Sequence, residues 1–306
     1  MLSKDNKSVR PPRLKPGDTI GIVAPAGPFD LEKFMKGKAV LESMGFQTFF
    51  DEGIFQKHEF LAGTDIQRSD QVNRLFADPS VQAIVCARGG YGSMRILPYL
   101  DFETIQTHPK IFLGFSDVSA LLSVLYDQCG LITFHGPLVT TLAKATEKTI
   151  MAMKTVLASD ATLELIPEDG KVIKPGICSG LVVGGNLTTL CHLVGTPYAP
   201  DFRGKILFLE DVGEMPYRID RMLTQMKLAG CFNGIVGLIL GTFKECGQLN
   251  EIVEIFNNIF ENADIPILAG FDMGHGEHNL IIPIGLGATL DTDKKRLQFH
   301  EPATVA

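Results

Sequence analysis

The 306-residue sequence predicts an α/β protein in which a mostly parallel sheet covered by helices is followed by a smaller β-rich, barrel-like α/β domain. Three observations carry this expectation. Short apolar runs alternate with amphipathic stretches through the first 150 residues, as in a chain that returns through a helix to lay each strand beside the last. Those runs are continuously apolar rather than alternating, which is the pattern of strands buried on both faces. The second half is richer in glycine and in short strands.

Thr19 to Ala24 reads as a buried strand that ends in Pro25 and Gly27, and Asp30 opens a helix through Leu31, Phe34, Met35, Ala39 and Leu41. A strand at Gln47 to Phe50, a helix around Asp70 to Phe76 and a strand at Val81 to Ala87 repeat the pattern; the last runs into Arg88, Gly89, Gly90, Tyr91 and Gly92. Ile111 to Phe115 is a further strand, leading into a helix over Asp117 to Tyr126. Residues 151–176 are charged and irregular, with turns at Pro167 to Gly170 and Lys174 to Gly176, and are expected to link a domain over 1–150 to one over 177–306. The second domain is expected to hold strands at Gly180 to Gly185, Lys205 to Leu209 and Gly234 to Gly241, and near Ile267, Leu280 and Thr289. Its helices are expected over Arg218 to Ala229 and Leu249 to Ala263.

Composition narrows the partner. With 45% apolar and 21% charged residues the chain is globular, and a formal charge of -7 leaves no basic footprint for nucleic acid or an anionic membrane. A small molecule is the expected partner. The polar, proline-bearing amino terminus lacks the apolar core of a signal peptide, so a cytoplasmic location is expected. No apolar run approaches the roughly 20 residues that span a bilayer. The six cysteines include no C-x-x-C pair and are expected to be reduced core thiols. There is no tryptophan, and the five tyrosines do not cluster in a loop that could stack a nucleobase.

Ser116 sits between a buried strand and an amphipathic helix. It could cap that helix, or it could be a nucleophile held exposed on a strand-to-helix turn. Gly114 is present, but Val118 replaces the second glycine of G-x-S-x-G, which disfavours an ordinary α/β-hydrolase. The glycine turn at Arg88 to Gly92 follows a strand at the end where parallel sheets bind ligands; Arg95 stands where a dinucleotide fingerprint needs its third glycine. Bare amides there could bind an oxyanion or a carboxylate. Glu210 ends a strand, and His275 lies between two glycines that leave its ring accessible. A hydroxyl, an imidazole and a carboxylate at element ends are the parts of a nucleophile, base and orienter. The H-G-E-H run at His275 to His278 has no zinc-binding spacing, so no metal is expected.

The motifs ARGGYGSMRIL, GFSDVSALL, TFHGPL, GGNLTTLCHLVGTPY, LFLEDVGEMPYRIDRML and GHG resemble those of the LD-carboxypeptidase family, in order from about Pro16 to the carboxyl terminus. The resemblance implies a Rossmann-like amino-terminal domain, a β-rich carboxyl-terminal domain, a homodimer and no cofactor. It implies a serine peptidase with a Ser116, Glu210 and His275 triad and an oxyanion hole from the amides of Gly90 and Asp117. Arg88, Gly89, Tyr91 and Asn186 are the expected substrate-binding residues. The implied reaction is release of terminal D-alanine from cytosolic muropeptide tetrapeptides during peptidoglycan recycling. Two alternatives stand beside it: a self-immunity hydrolase of the same family that cleaves an aminoacyl-nucleotide antibiotic, and a non-catalytic muropeptide sensor. All three triad side chains are present, which favours an enzyme.

Overall fold

The apolar runs separate into two sheets in the computed structural model, which describes residues 8–306. Residues 1–7, on which the expectation of no signal peptide partly rests, lie outside the described residues. In chain order the first half contains β1 (Thr19–Val23), α1 (Leu31–Ser43), β2 (Gln47–Phe49), α2 (Asp65–Ala77), β3 (Ala83–Cys86), α3 (Ser93–Ile96), α4 (Phe102–Thr107), β4 (Ile111–Gly114), α5 (Ser119–Cys129), β5 (Thr133–His135), α6 (Val139–Leu142) and α7 (Glu147–Ala158). The second half contains β6 (Glu164–Leu165), β7 (Lys171–Lys174), β8 (Ile177–Asn186), α8 (Leu187–Leu193), β9 (Lys205–Val212), α9 (Pro216–Leu228), β10 (Gly237–Lys244), α10 (Leu249–Ile259), β11 (Ile267–Ala269), β12 (Ile282–Ile284), β13 (Gly287–Asp291) and β14 (Arg296–Phe299).

The first sheet has the order β12-β5-β4-β3-β1-β2, and β1 to β5 run parallel. Every residue of β3 and β4 is buried, as continuously apolar runs require. The helices start where local chemistry starts them. The Asp30 side chain accepts from the Lys33 amide at 2.8 Å, and Thr64 forms a capping box with Gln67 at the head of α2. From β1 the chain moves outward to β2 and then crosses back to β3 on the other side of β1. The loops after β1 and β3 therefore diverge from neighbouring strand ends, and this is where such sheets hold ligands. The Gly27 amide bonds the Gly89 carbonyl across the gap at 3.1 Å.

The second sheet has the order β6-β14-β13-β8-β9-β10-β11-β7, with a parallel centre from β8 to β11 and antiparallel strands on both sides. Asn186 and Glu210 are in register at the carboxyl ends of β8 and β9. Residues 151–176, read as a linker, carry most of α7 and the strands β6 and β7. Those two strands are short and sit at the edges of the sheet, where charged residues are common and hide the apolar pattern.

The strand expected near Leu280 belongs elsewhere than anticipated. Ile282–Ile284 runs antiparallel to β5, with Ile282 opposite His135, and so completes the first sheet rather than the second. A three-residue apolar run carries no local signal of which sheet it joins. The consequence is functional: the segment carrying His275 is held between β11 of one sheet and β12 of the other.

Close helix contact also shapes the site's wall. α1 crosses α6 so tightly that a Cβ on Gly37 would lie 1.7 Å from the Val139 carbonyl oxygen. Gly37→Ala is expected to force the helices apart and to destabilise by ~1–3 kcal/mol, the usual range for overpacking. Thermal melting of the variant should fall by several degrees; an unchanged melting temperature would contradict the packing described.

Candidate active site

Beyond β4 the backbone is extended at Phe115 (φ -157°) and then turns left-handed at Ser116 (φ 63°). A non-glycine residue with positive φ is uncommon and persists where its surroundings fix it. Three contacts do so here. A Cβ on Gly114 would meet Val118 Cγ1 at 2.6 Å, so the turn closes only over a glycine there, and one on Gly89 would crowd Ser116 at 3.0 Å from Cβ and 3.2 Å from Oγ. The buried Phe115 ring packs against the His275 ring with centroids 4.7 Å apart. Ser116 opens a 3-10 turn to Val118 before α5 begins, and no side chain caps either the turn or the helix. That decides against the capping role for the serine.

The glycine turn packs under this serine. Gly89 is buried against it, Gly90 (φ 104°) and Gly92 (φ 123°) take backbone conformations that other residues resist, and the Asp117 carboxylate accepts from the Ser93 amide at 2.8 Å. Beneath the turn lies Arg68, fully buried, which donates to the carbonyls of Pro25 and Gly92 and pairs with Asp65. One guanidinium thus ties together the loops after β1 and β3. Arg68 did not emerge from the motifs, although its place on the buried stripe of α2 with Val72, Leu75 and Phe76 was the available signal.

Glu210 is fully buried at the end of β9, and His275 Nδ1 donates to its Oε2 at 2.7 Å. Gly274 makes that approach possible: a Cβ there would lie 2.3 Å from Oε2. The glycine before His275 therefore admits the carboxylate as well as leaving the ring accessible. Burial alone would push the Glu210 carboxyl up, but His135 and His275 outweigh it and hold it at about 2. Next to it, burial pushes the Asp211 carboxyl up, and the charge of Glu210 adds to that.

Asn186, expected to bind substrate, is bonded within the fold. It is buried, its Oδ1 accepts from the Thr189 amide at 3.0 Å at the head of α8, and its Nδ2 donates to Asp211 at 2.9 Å. These bonds fix the amide at the point where α8 starts directly from β8. His278 turns to Thr146 at 2.8 Å.

Phe115, Arg88 and His275 line a cavity of about 600 Å³ together with Lys33, Lys144 and Lys244. Asp30 and Glu277 are the acidic residues on its wall. The three lysines come from separate segments and carry no motif, so only the fold gathers them. Tyr91 faces a second hollow of about 450 Å³ on the far side of Arg88, where its ring lies 5.5 Å from that of Phe60. Both rings are exposed. Tyr91 thus meets a phenylalanine 31 positions away, a pairing that the distribution of tyrosines in the sequence does not announce.

The LD-carboxypeptidase N-terminal domain matches residues 20–136 and the LD-carboxypeptidase C-terminal domain matches residues 179–290. The chain belongs to the LD-carboxypeptidase family. It is 36% identical to a probable murein peptide carboxypeptidase of Bacillus subtilis over 300 residues, covering 94% of this chain and 92% of the relative. A solved muramoyltetrapeptide carboxypeptidase of Oxalobacter formigenes superposes with a TM-score of 0.81 at 29% identity, over 92% of this chain and 97% of the other. The microcin C7 self-immunity protein of Escherichia coli is also similar, at 29% identity over 93% of this chain and 94% of its own length. This family membership, with two sheets of mixed α/β architecture, agrees with the fold class expected from the sequence.

For this LD-carboxypeptidase family member the contact between Gly274 and Glu210 yields a sharp expectation. Gly274→Ala should displace the carboxylate from His275 and lower carboxypeptidase turnover by on the order of 100-fold, as misplacement of about 1 Å does elsewhere. Turnover within a few-fold of wild type would show that the 2.7 Å contact is dispensable.

Proposed function

We propose that this protein is a serine-type LD-carboxypeptidase that hydrolyses the bond between the L-centre of a diamino acid and terminal D-alanine in muropeptide tetrapeptides, within cytoplasmic peptidoglycan recycling. The observation that carries this reading is the buried Glu210 bonded to His275 at 2.7 Å, beside the Phe115–Ser116 turn and at the wall of a cavity with four cationic side chains. A carboxylate-terminated peptide suits such a cavity, and Arg88 can hold its terminal carboxylate by charge-assisted hydrogen bonds.

The chemistry follows from the groups in place. His275 accepts the Ser116 proton as Oγ attacks the carbonyl carbon, while Glu210 fixes the imidazole and offsets its charge. The amides of Gly90 and Asp117 are the proposed oxyanion donors. His275 then protonates the leaving amine of D-alanine, and a water, deprotonated by the same imidazole, releases the acyl group from Ser116. No step calls for a metal or cofactor.

A second reading has one observation of its own. The exposed Phe60–Tyr91 pair beside Arg88 could stack a nucleobase, an interaction of roughly 1–3 kcal/mol per base, as cleavage of an aminoacyl-nucleotide would use. Measuring kcat/KM for a tetrapeptide and an adenylate-linked aminoacyl conjugate separates the two. The tetrapeptide should be preferred; preference for the conjugate would favour the immunity role.

Ser116→Ala and His275→Ala should each lower D-alanine release by several orders of magnitude, and the double variant should be barely worse, because such residues act as a unit. Substantial release by either single variant, read by mass analysis, would overturn the assignment. The pH dependence has a definite sign. With its folded value depressed to about 2, Glu210 keeps its charge as pH falls until that region, so it adds no inflection to kcat/KM between pH 4 and 8. Loss of rate on acidification should follow one ionisation, that of the base; two proton uptakes in that window would contradict the assignment.

A further inference from the structure

His135 lies at the end of β5 with no exposed surface. Neither of its ring nitrogens has a hydrogen-bond partner among the described residues, and the same is true of Glu210 Oε1. These orphaned groups face one another: His135 Nε2 is 3.7 Å from Oε1. That separation lies beyond hydrogen-bond range, but it is too short to admit a water between the two atoms, so a shift of about half an ångström in either group is all that a bond requires. The imidazole is fixed on its other sides by the Phe115 ring at 5.7 Å and the Phe208 ring at 4.9 Å. Its backbone is held by Ile282 of β12.

We propose that His135 is a positioning residue that donates its Nε2 proton to Glu210 Oε1, so that Oε2 stays aimed at His275. The inference rests on the reading of Glu210 as the orienter of the base. A carboxylate bonded through one oxygen can rotate about its terminal torsion, whose well is broad; a donor on the second oxygen removes that freedom. A buried carboxylate also keeps its charge only when donors or cations face it, and the depressed ionisation of Glu210 has His135 among its causes. The other ionisable groups near this contact are Asp211, whose carboxylate is turned to Asn186 and Thr188, and His275 across the Phe115 ring. β8, β12 and α5 present Gly185, Ile282 and Ser119, which do not titrate.

The sign of the effect follows. The positive end of the Nε2–H dipole opposes a further positive charge on the Glu210–His275 pair, so removing it lets the coupled pair take up its proton at higher pH. His135→Phe keeps the ring shape without a donor, whereas His135→Gln places an amide N–H near the former Nε2. In the full-length protein, His135→Phe should lower kcat for the tetrapeptide at least tenfold at neutral pH with KM little changed, and should move the acid limb of kcat/KM upward by about one pH unit. His135→Gln should restore the wild-type limb. A purely structural role would lower the folded fraction without moving the limb, so a wild-type limb in His135→Phe would overturn the proposal.

The ¹⁵N spectrum of histidine-labelled wild-type protein gives a second reading that needs neither substrate nor a folded Phe variant. The signal of His135, assigned by its loss in His135→Gln, should show the Nε2–H tautomer. The Nδ1–H tautomer would overturn the proposal even if the tetrapeptide is cleaved, and Nε2–H would support it even if the tetrapeptide is not the substrate.

Discussion

A fully buried carboxylate is among the most costly groups a fold can hold, because the charged form loses its water and must be compensated by neighbours. Glu210 is such a group, and much of the surrounding architecture answers to it. His275 donates to one oxygen, Gly274 leaves the space that contact needs, and His135 faces the other oxygen. None of the three is close to Glu210 in sequence. They meet because β12 leaves the second sheet to pair with β5 of the first, which anchors the His275 segment across the junction. Partners on both sides of the junction therefore surround a single charge.

The other half of the site depends on the connection pattern of the first sheet. Reversal of strand order at β1 parts the loops after β1 and β3, and Arg68 bridges them from below through the carbonyls of Pro25 and Gly92. The glycine turn held in this way supports Ser116 in its left-handed conformation, since Gly89 is the surface on which that serine rests. A side chain on a fixed, uncommon backbone conformation has few alternative positions, which is what a reactive hydroxyl needs. Around it the charges are asymmetric. The chain is acidic overall, yet Lys33, Arg88, Lys144 and Lys244 converge on one cavity.

Much of this was legible in the sequence because it is local. Continuous apolar runs marked β1, β3 and β4, Asp30 marked the start of α1, and glycines beside Ser116 and His275 marked two turns of the site, whereas the Thr64 cap that starts α2 at Asp65 went unread. What could not be read depends on distant pairing. Ile282–Ile284 has no local feature that assigns it to the first sheet, and Phe60 has none that brings it to Tyr91. Arg68 looks like a surface residue until the stripe of α2 is known to be buried, and the bonds that orient Asn186 depend on Asp211, 25 positions away. Residue type suggests chemistry, but only the surroundings decide whether a group is available for it.

The proposed reaction stands or falls on whether Ser116 carries the acyl group during turnover. Rapid acid quenching of the enzyme with a tetrapeptide, followed by mass analysis of the intact protein and its fragments, tests this directly. An adduct with the mass of the tripeptidyl acyl group is expected, confined to the fragment containing Ser116, constant while D-alanine release runs at its steady rate and lost once the tetrapeptide is exhausted. An adduct on another residue, or full turnover by protein in which Ser116 is replaced by alanine, would contradict it.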